Sequence, residues 1–123
     1  MNLVDSCGWL EFLADGPKAR FYAPALENVR QLIVPSIVVL EVFKRVLQQR
    51  GEGAALDVAA LMRQGRTVDL DASVALAAAK IGCDLGLPLA DSVILATARA
   101  YEATVWTHDA HFKALKGVRF APA

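Results

Sequence analysis

The sequence predicts an α/β fold, a three-layer α/β/α sandwich around a central parallel sheet of four to five strands. Short apolar runs alternate along the whole chain with longer segments whose apolar residues recur at helical spacing. Strands that alternate with helices in this way form parallel sheets with helices on both faces. Crossovers between such strands are right-handed, so successive strands point the same way.

Four apolar runs are predicted to be strands, and a fifth, weaker run follows near the end. The first run, Leu3-Val4, ends at Asp5, and the second, which is β-branched, is closed by Pro35. Each later run contains valine, and two of them also contain threonine; both residue types favour strands. The runs after the first are Leu32–Val34, Thr67–Leu70, Thr104–Thr107 and Val118–Phe120.

Helices are predicted between these runs, and glycine and proline residues end them. Ser36 and Asp71 are the predicted N-caps of the third helix and of the alanine-rich helix. Gly51 and Gly53 separate the third helix from the fourth. The predicted helices are Ser6–Ala14, Lys18–Glu27, Ser36–Gln49, Ala54–Arg63, the alanine-rich segment between Asp71 and Gly86, and Ala90–Glu102.

Length and composition indicate one domain, residues 1–123, with a single core. Hydrophobic residues make up 55% of the chain, and the mean hydropathy is +0.37. Both values are high for a monomeric domain, so we expect a partner, including a second copy of the chain, to cover apolar surface.

We expect a cytoplasmic protein that does not enter a membrane. The first five residues lack the basic and long apolar regions of a secretory signal. The most apolar stretch, Leu32–Phe43, is too short and too interrupted to span a bilayer. Cys7 and Cys83 form no metal-binding pair, and we interpret them as free thiols in a reducing compartment.

The net charge is zero, with 13 basic and 13 acidic residues, which argues against a protein that holds nucleic acid by bulk charge. It does not exclude an enzyme with an acidic metal site beside a modest basic rim. In such a site the metal supplies the positive charge next to a phosphate.

Four acidic residues lie at the ends of the predicted strands or in the helices beside them. Asp5 closes the first strand, Asp109 follows the fourth by two residues, and Glu41 lies early in the helix after the second. Asp91 lies in the first turn of the helix before the fourth strand, so the strand argument alone does not place it. Open α/β sheets bind ligands at the shared carboxyl edge of their strands.

Each of these carboxylates is set in apolar sequence and needs a partner, because an unpaired buried charge is costly. Oxygen ligands select hard cations, Mg²⁺ or Mn²⁺. Such ions activate a water and stabilise the leaving oxygen of a phosphodiester. Each acid also has a simpler interpretation. Asp5 and Asp109 could be helix caps, Asp91 could favour the positive end of its helix, and Glu41 could pair with Arg45.

Four stretches of the chain together resemble the PIN-domain family, and most of all its VapC-type toxins from prokaryotic toxin–antitoxin pairs. The last two stretches are the more specific, and the second of them has the pattern Thr-x-Asp-x-x-Phe. The stretches are Leu3–Ser6, Pro35–Val42, Leu87–Ala98 and Thr107–Phe112. The likeness extends to about Phe120, whereas Gln49–Thr67 carries no motif of the family.

This resemblance implies a PIN-like fold and an endoribonuclease that cleaves single-stranded RNA. Asp5, Glu41, Asp91 and Asp109 would bind Mg²⁺ or Mn²⁺. Ser6 and Thr107 would hold a carboxylate or a water by hydrogen bonds; Thr107 could equally be an ordinary strand residue. The implied partners are an antitoxin protein and a second copy of the chain.

Other interpretations remain open or are disfavoured. A haloacid-type phosphatase needs Asp-x-Asp, and a phospho-receiver domain needs an acidic pair at the first strand; neither is present at Asp5-Ser6-Cys7. A catalytically silent PIN-like module that binds RNA or protein has no use for four repelling acids.

His108 and His111 lack a cysteine partner for zinc, and His111 could instead contact RNA. For Trp9 we favour an interface over the core.

Overall fold

The fold is built on one parallel sheet of five strands. The computed structural model describes residues 1–123. The strands are β1 (Asn2–Val4), β2 (Leu32–Pro35), β3 (Arg66–Val68), β4 (Thr104–Thr107) and β5 (Val118–Phe120). They are ordered β3-β2-β1-β4-β5, and each neighbouring pair is parallel. The predicted α/β class and parallel sheet are therefore confirmed.

Five helices connect the strands. They are α1 (Ser6–Leu13), α2 (Ala19–Glu27), α3 (Ser36–Met62), α4 (Ala72–Leu85) and α5 (Leu89–Ala100). Gly51, with φ of 86°, breaks α3 into two segments, which correspond to the two helices predicted there. The prediction that Ser36 caps α3 is wrong, because Pro35 precedes the helix as the last residue of β2 and Ser36 is already helical. The predicted Asp71 cap is confirmed by a 2.9 Å bond from the Val74 N–H.

The chain reverses its direction of travel across the sheet between β3 and β4. After β1 it moves outward to β2 and β3, and it then returns to place β4 on the other side of β1. Leu3 pairs with Val105 and Val4 with Trp106, and the Asp5 N–H donates to the Trp106 carbonyl at 3.0 Å. The carboxyl ends of β1 and β4 are thus held side by side, and such a reversal point is where open α/β sheets bind ligands.

The central strands are apolar on both faces. Leu3, Val4, Ile33, Val34 and Val105 have no exposed surface, so both faces of the sheet need a covering layer of helices. Right-handed crossovers put α1, α2 and α3 on one face and α4 and α5 on the other.

The position of Trp9 differs from the interface position expected from the sequence. Its side chain is 2% exposed and belongs to the core, as does that of Tyr22, so the predicted interface role of Trp9 is wrong. The reason is that α1 packs against both α2 and α3, and this packing covers a ring that would otherwise lie near the sheet edge.

Helices α4 and α5 form a closely packed pair. Val74 and Ala78 of α4 are buried against Val93 and Ala96 of α5. No single helix of the chain is both long enough and apolar enough to cross a membrane. Only α4 and α5 taken together have that length and composition, and they are bent by 117° from one another.

The close approach of α1 to α2 gives the first prediction. A methyl group at Gly8 would lie within 2.7 Å of side-chain carbons of Tyr22 and Val4. We expect Gly8→Ala to destabilise the protein by about 1–3 kcal/mol through overpacking, as measured by thermal or urea unfolding. Gly53→Ala is the matched control, because nothing lies within 4 Å of that position and α3 continues through it. Equal stability of the two variants would contradict the prediction.

Candidate functional site

Asp5 lies at the carboxyl end of β1 and is 3% exposed. Its Oδ1 accepts a 2.7 Å bond from the Ser6 N–H at the start of α1. Its Oδ2 accepts a 2.8 Å bond from the Thr107 hydroxyl at the end of β4. Asp5 is therefore a helix cap, as one interpretation of the sequence proposed, and it also faces the neighbouring strand end.

Asp109 is joined to Asp5 through Thr107. The Thr107 Oγ1 accepts a 2.9 Å bond from the Asp109 N–H while donating to Asp5. The Asp109 side chain caps a 3-10 turn, Ala110–Phe112, by accepting from the His111 N–H at 2.9 Å. Because Thr107 has no exposed surface, this link is shielded from water.

Glu41 approaches from α3. The Ser6 hydroxyl lies 3.1 Å from Glu41 Oε1 and 3.4 Å from Asp5 Oδ1, so it lies between the two carboxylates. The structure shows no ion pair between Glu41 and Arg45, and the pairing considered from the sequence is wrong. The rotation of α3 places Glu41 next to α1 instead.

Asp91 completes the group from the opposite face of the sheet. A helix that precedes a parallel strand runs against it, so α5 begins at the edge where the strands end. This direction brings Asp91, in the first turn of α5, to the same edge. Asp91 is 9% exposed, and its Oδ2 lies 3.1 Å from the His111 Nδ1, which is also 3.0 Å from Asp109 Oδ1.

The four carboxylates repel one another in a partly dehydrated site. Burial, followed by the negative charges of Asp109 and Asp5, raises the pKa of Asp91 to about 6. Burial is also the main cause that raises the pKa of Asp5 and that of Glu41, with hydrogen bonds from Thr107 and Ser6 opposing it. No lysine or arginine forms an ion pair with any of the four.

Two further side chains, those of Cys7 and His111, line the site. The sequence analysis did not assign either of them to the acidic cluster. Cys7 Sγ lies 3.5 Å from Asp5 Oδ2 and 3.4 Å from Thr107 Oγ1, and burial raises its pKa to about 11, which keeps the thiol neutral. His111 was considered only for zinc or RNA, but it bridges two of the acids. His108 points elsewhere, with its Nδ1 2.6 Å from the Tyr22 hydroxyl.

The donor set fits a divalent metal ion. Carboxylate oxygens predominate, and partly buried carboxylates without a lysine or arginine partner are stabilised by a cation. Ligand atoms of Asp91, Asp109 and His111 already lie within 4.8 Å of one another. The arrangement can therefore hold an ion at the edge of the sheet, open to solvent on the His111 side.

Comparison with known proteins agrees with this geometry. The PIN domain family model matches residues 3–118, nearly the whole chain. The chain belongs to the PIN-domain family. Proteins of this family are nucleases, and the predicted resemblance is confirmed. No curated protein matches the sequence.

Solved structures of PIN-domain proteins have the same fold. A toxin–antitoxin complex from Klebsiella pneumoniae superposes with a TM-score of 0.84 at 17% identity, covering 97% of this chain and 96% of that one. VapC20 of Mycobacterium tuberculosis, a sarcin-ricin loop cleaving toxin, gives 0.79 at 18% identity over 99% and 100%. FitAcB of Neisseria gonorrhoeae gives 0.70 at 25% identity over 89% and 88%.

The raised pKa of Asp91 yields a stability prediction. The folded protein holds the proton on Asp91 up to a pH of about 6, whereas the unfolded chain releases it near the ordinary value of 3.8. Stability from this group is therefore complete below pH 3.8 and is lost as the pH rises to about 6. At neutral pH, Asp91→Asn should raise the melting temperature of the metal-free protein, by roughly 3–6 °C for each kcal/mol of desolvation cost and repulsion removed.

Thermal melts of the metal-free protein between pH 4 and pH 7, a range on either side of the pKa of about 6, measure this effect. Asp69→Asn is the control, because Asp69 is exposed and lies outside the site. A lower melting temperature for Asp91→Asn would mean that Asp91 stabilises the start of α5 rather than adding repulsion.

Proposed function

We propose that residues 1–123 form a single PIN domain that cleaves single-stranded RNA endonucleolytically with Mg²⁺ or Mn²⁺. We further propose that it is the toxin of a toxin–antitoxin pair. The observation that supports this best is the meeting of Asp5, Glu41, Asp91 and Asp109 at the reversal point of the sheet without a lysine or arginine partner. An acidic cluster of this kind costs stability, and metal-dependent catalysis gives it a use.

In this proposal the four carboxylates hold the metal, and Ser6 and Thr107 orient them. Ser6 lies between Asp5 and Glu41, and Thr107 between Asp5 and Asp109. The bound ion supplies an activated water and charge stabilisation for the leaving oxygen of the phosphodiester. The protein's own part is to hold the acids close together and partly shielded from water, where a bound cation would favour their ionised form.

A polar groove of about 430 Å³ leads away from Glu41 along α3. Lys44, Arg45 and Gln48 line it beside Ser6. These side chains can contact the phosphates of a strand that enters the site, which positions RNA without specifying its sequence. With zero net charge overall, this local rim is the means by which the chain would attract RNA.

The proposed partner is an antitoxin, as in the toxin–antitoxin complexes among the structural neighbours. An apolar groove of about 240 Å³, with Leu10 and Leu13 of α1 facing Val46 and Val58 of α3, offers it a surface. We also propose a homodimer, because Leu76 and Leu89 are 76% and 86% exposed. We also propose a cytoplasmic location, where a toxin would meet cellular RNA.

The alternative is a catalytically silent PIN-like module that binds RNA or protein. Such a module would be more stable with neutral residues at these positions, since burial raises the pKa of three of the four acids. An assay of RNA cleavage and RNA binding decides between the nuclease and the silent module.

We expect the purified protein to cleave single-stranded RNA with Mg²⁺ or Mn²⁺ and to lose this activity in EDTA. Asp5→Asn, Glu41→Gln, Asp91→Asn and Asp109→Asn should each lower the rate by about 10²-fold or more, because each removes a proposed metal ligand. The measurement is cleavage of a labelled RNA, with folding checked by circular dichroism. Asp69→Asn, outside the site, should retain full activity. Binding of RNA without cleavage under any metal condition would favour the silent module.

We expect the antitoxin to insert a basic side chain, in particular arginine, among the four carboxylates. A guanidinium pairs with a carboxylate through two hydrogen bonds and can replace the metal. Affinity for the inhibitor, measured by calorimetry, should therefore fall at least tenfold in the double variant Asp5→Asn/Asp91→Asn. Unchanged affinity would show that the inhibitor acts away from the carboxylates.

A further inference from the structure

We propose that His111 is itself a ligand of the bound metal and makes the site bind Mn²⁺ in preference to Mg²⁺. This inference rests on the proposed function, because it concerns the same metal site. It adds a nitrogen donor to the four oxygen donors predicted from the sequence.

The position of the His111 ring supports this role. Its Nδ1 lies 3.1 Å from Asp91 Oδ2 and 3.0 Å from Asp109 Oδ1. One ligand atom from each of the three residues falls within 4.8 Å of the others. Ligands held at about 2.1 Å from one ion are at most about 4.2 Å apart, so a small adjustment of the side chains admits an ion between them.

Local structure explains why His111 faces the acids. The 3-10 turn Ala110–Phe112 begins at Asp109, which accepts a bond from the His111 N–H at 2.9 Å. Phe112, with no exposed surface, anchors the turn in the core. The turn therefore fixes the backbone of His111 beside Asp109, while the ring remains 56% exposed and open to an arriving ion.

Asp91 provides an independent argument. Its side chain is only 13% exposed, yet its carboxylate accepts no hydrogen bond from any backbone N–H or hydroxyl group, unlike those of Asp5 and Glu41. His111 is its one polar partner. A carboxylate with little exposure to solvent and so few donors is costly, and an ion shared with His111 and Asp109 would satisfy it.

The nitrogen donor decides which metal is preferred. Carboxylate oxygens suit both Mg²⁺ and Mn²⁺. Proteins hold Mg²⁺ almost entirely through oxygen ligands and waters. Mg²⁺ gives up its water ligands reluctantly, whereas Mn²⁺ belongs to the first-row transition ions, which accept nitrogen ligands more readily than Mg²⁺ does. Adding His111 to an all-carboxylate site therefore strengthens Mn²⁺ binding more than Mg²⁺ binding.

Pulsed electron paramagnetic resonance of Mn²⁺ bound to the full chain tests this directly, because a coordinated ring nitrogen modulates the spin echo. The chain has only two histidines, and His108 is bonded to Tyr22, so His108→Gln is the matched control. We expect nitrogen modulation in the wild type and in His108→Gln, and none in His111→Ala. Should His111→Ala fail to fold, His111→Gln removes the imidazole while keeping a polar side chain.

Calorimetric titration supplies a second readout that does not depend on activity. Mn²⁺ affinity should fall about tenfold or more in His111→Ala, and Mg²⁺ affinity should fall less, so the preference for Mn²⁺ declines. If the wild type binds Mn²⁺ without nitrogen modulation, the inference is overturned while the proposed nuclease stands. If the wild type binds neither ion, both the inference and the proposed metal site are wrong.

Discussion

The site depends on one buried hydroxyl group. Thr107 donates to the Asp5 carboxylate and accepts from the Asp109 N–H, and it does so at the point where β1 and β4 end side by side. The hydroxyl thereby fixes the spacing of two acids that belong to chain segments about a hundred residues apart. Ser6 extends the connection to Glu41, and His111 extends it to Asp91.

The rest of the fold supplies the stability that this arrangement needs. Like charges in a partly dehydrated site oppose folding, and the raised pKa values of Asp5, Glu41 and Asp91 reflect that opposition. The fully buried central strands and the packing of helices on both faces favour folding by burial of apolar surface. Asp5 and Asp109 follow β1 and β4, each of which is paired with a strand on both sides, so repulsion between the acids cannot separate them without breaking this pairing.

Sequence reasoning recovered the strands and the acids at their ends, because both depend on local pattern and on the shared edge of a parallel sheet. It could not place Asp91, whose position depends on the direction in which α5 packs. It missed the contacts of His111, which depend on a three-residue turn, and the burial of Trp9, which depends on three helices meeting. It extended the third strand to Leu70, whereas the strand ends at Val68 and Leu70 is 46% exposed.

The break in α3 at Gly51 has a consequence for how the chain can vary. In an uninterrupted helix, one inserted residue rotates everything beyond it by about 100°. The positive φ at Gly51 interrupts the helix, so the segment of α3 after Gly51 and the segment that bears Glu41 need not keep one helical register. A Cβ atom at Gly51 or Gly53 would meet no other part of the protein within 4 Å, so this stretch is not packed against the core, and a change in its length would leave the orientation of Glu41 unchanged. This joint is where related sequences can differ in length without altering the site.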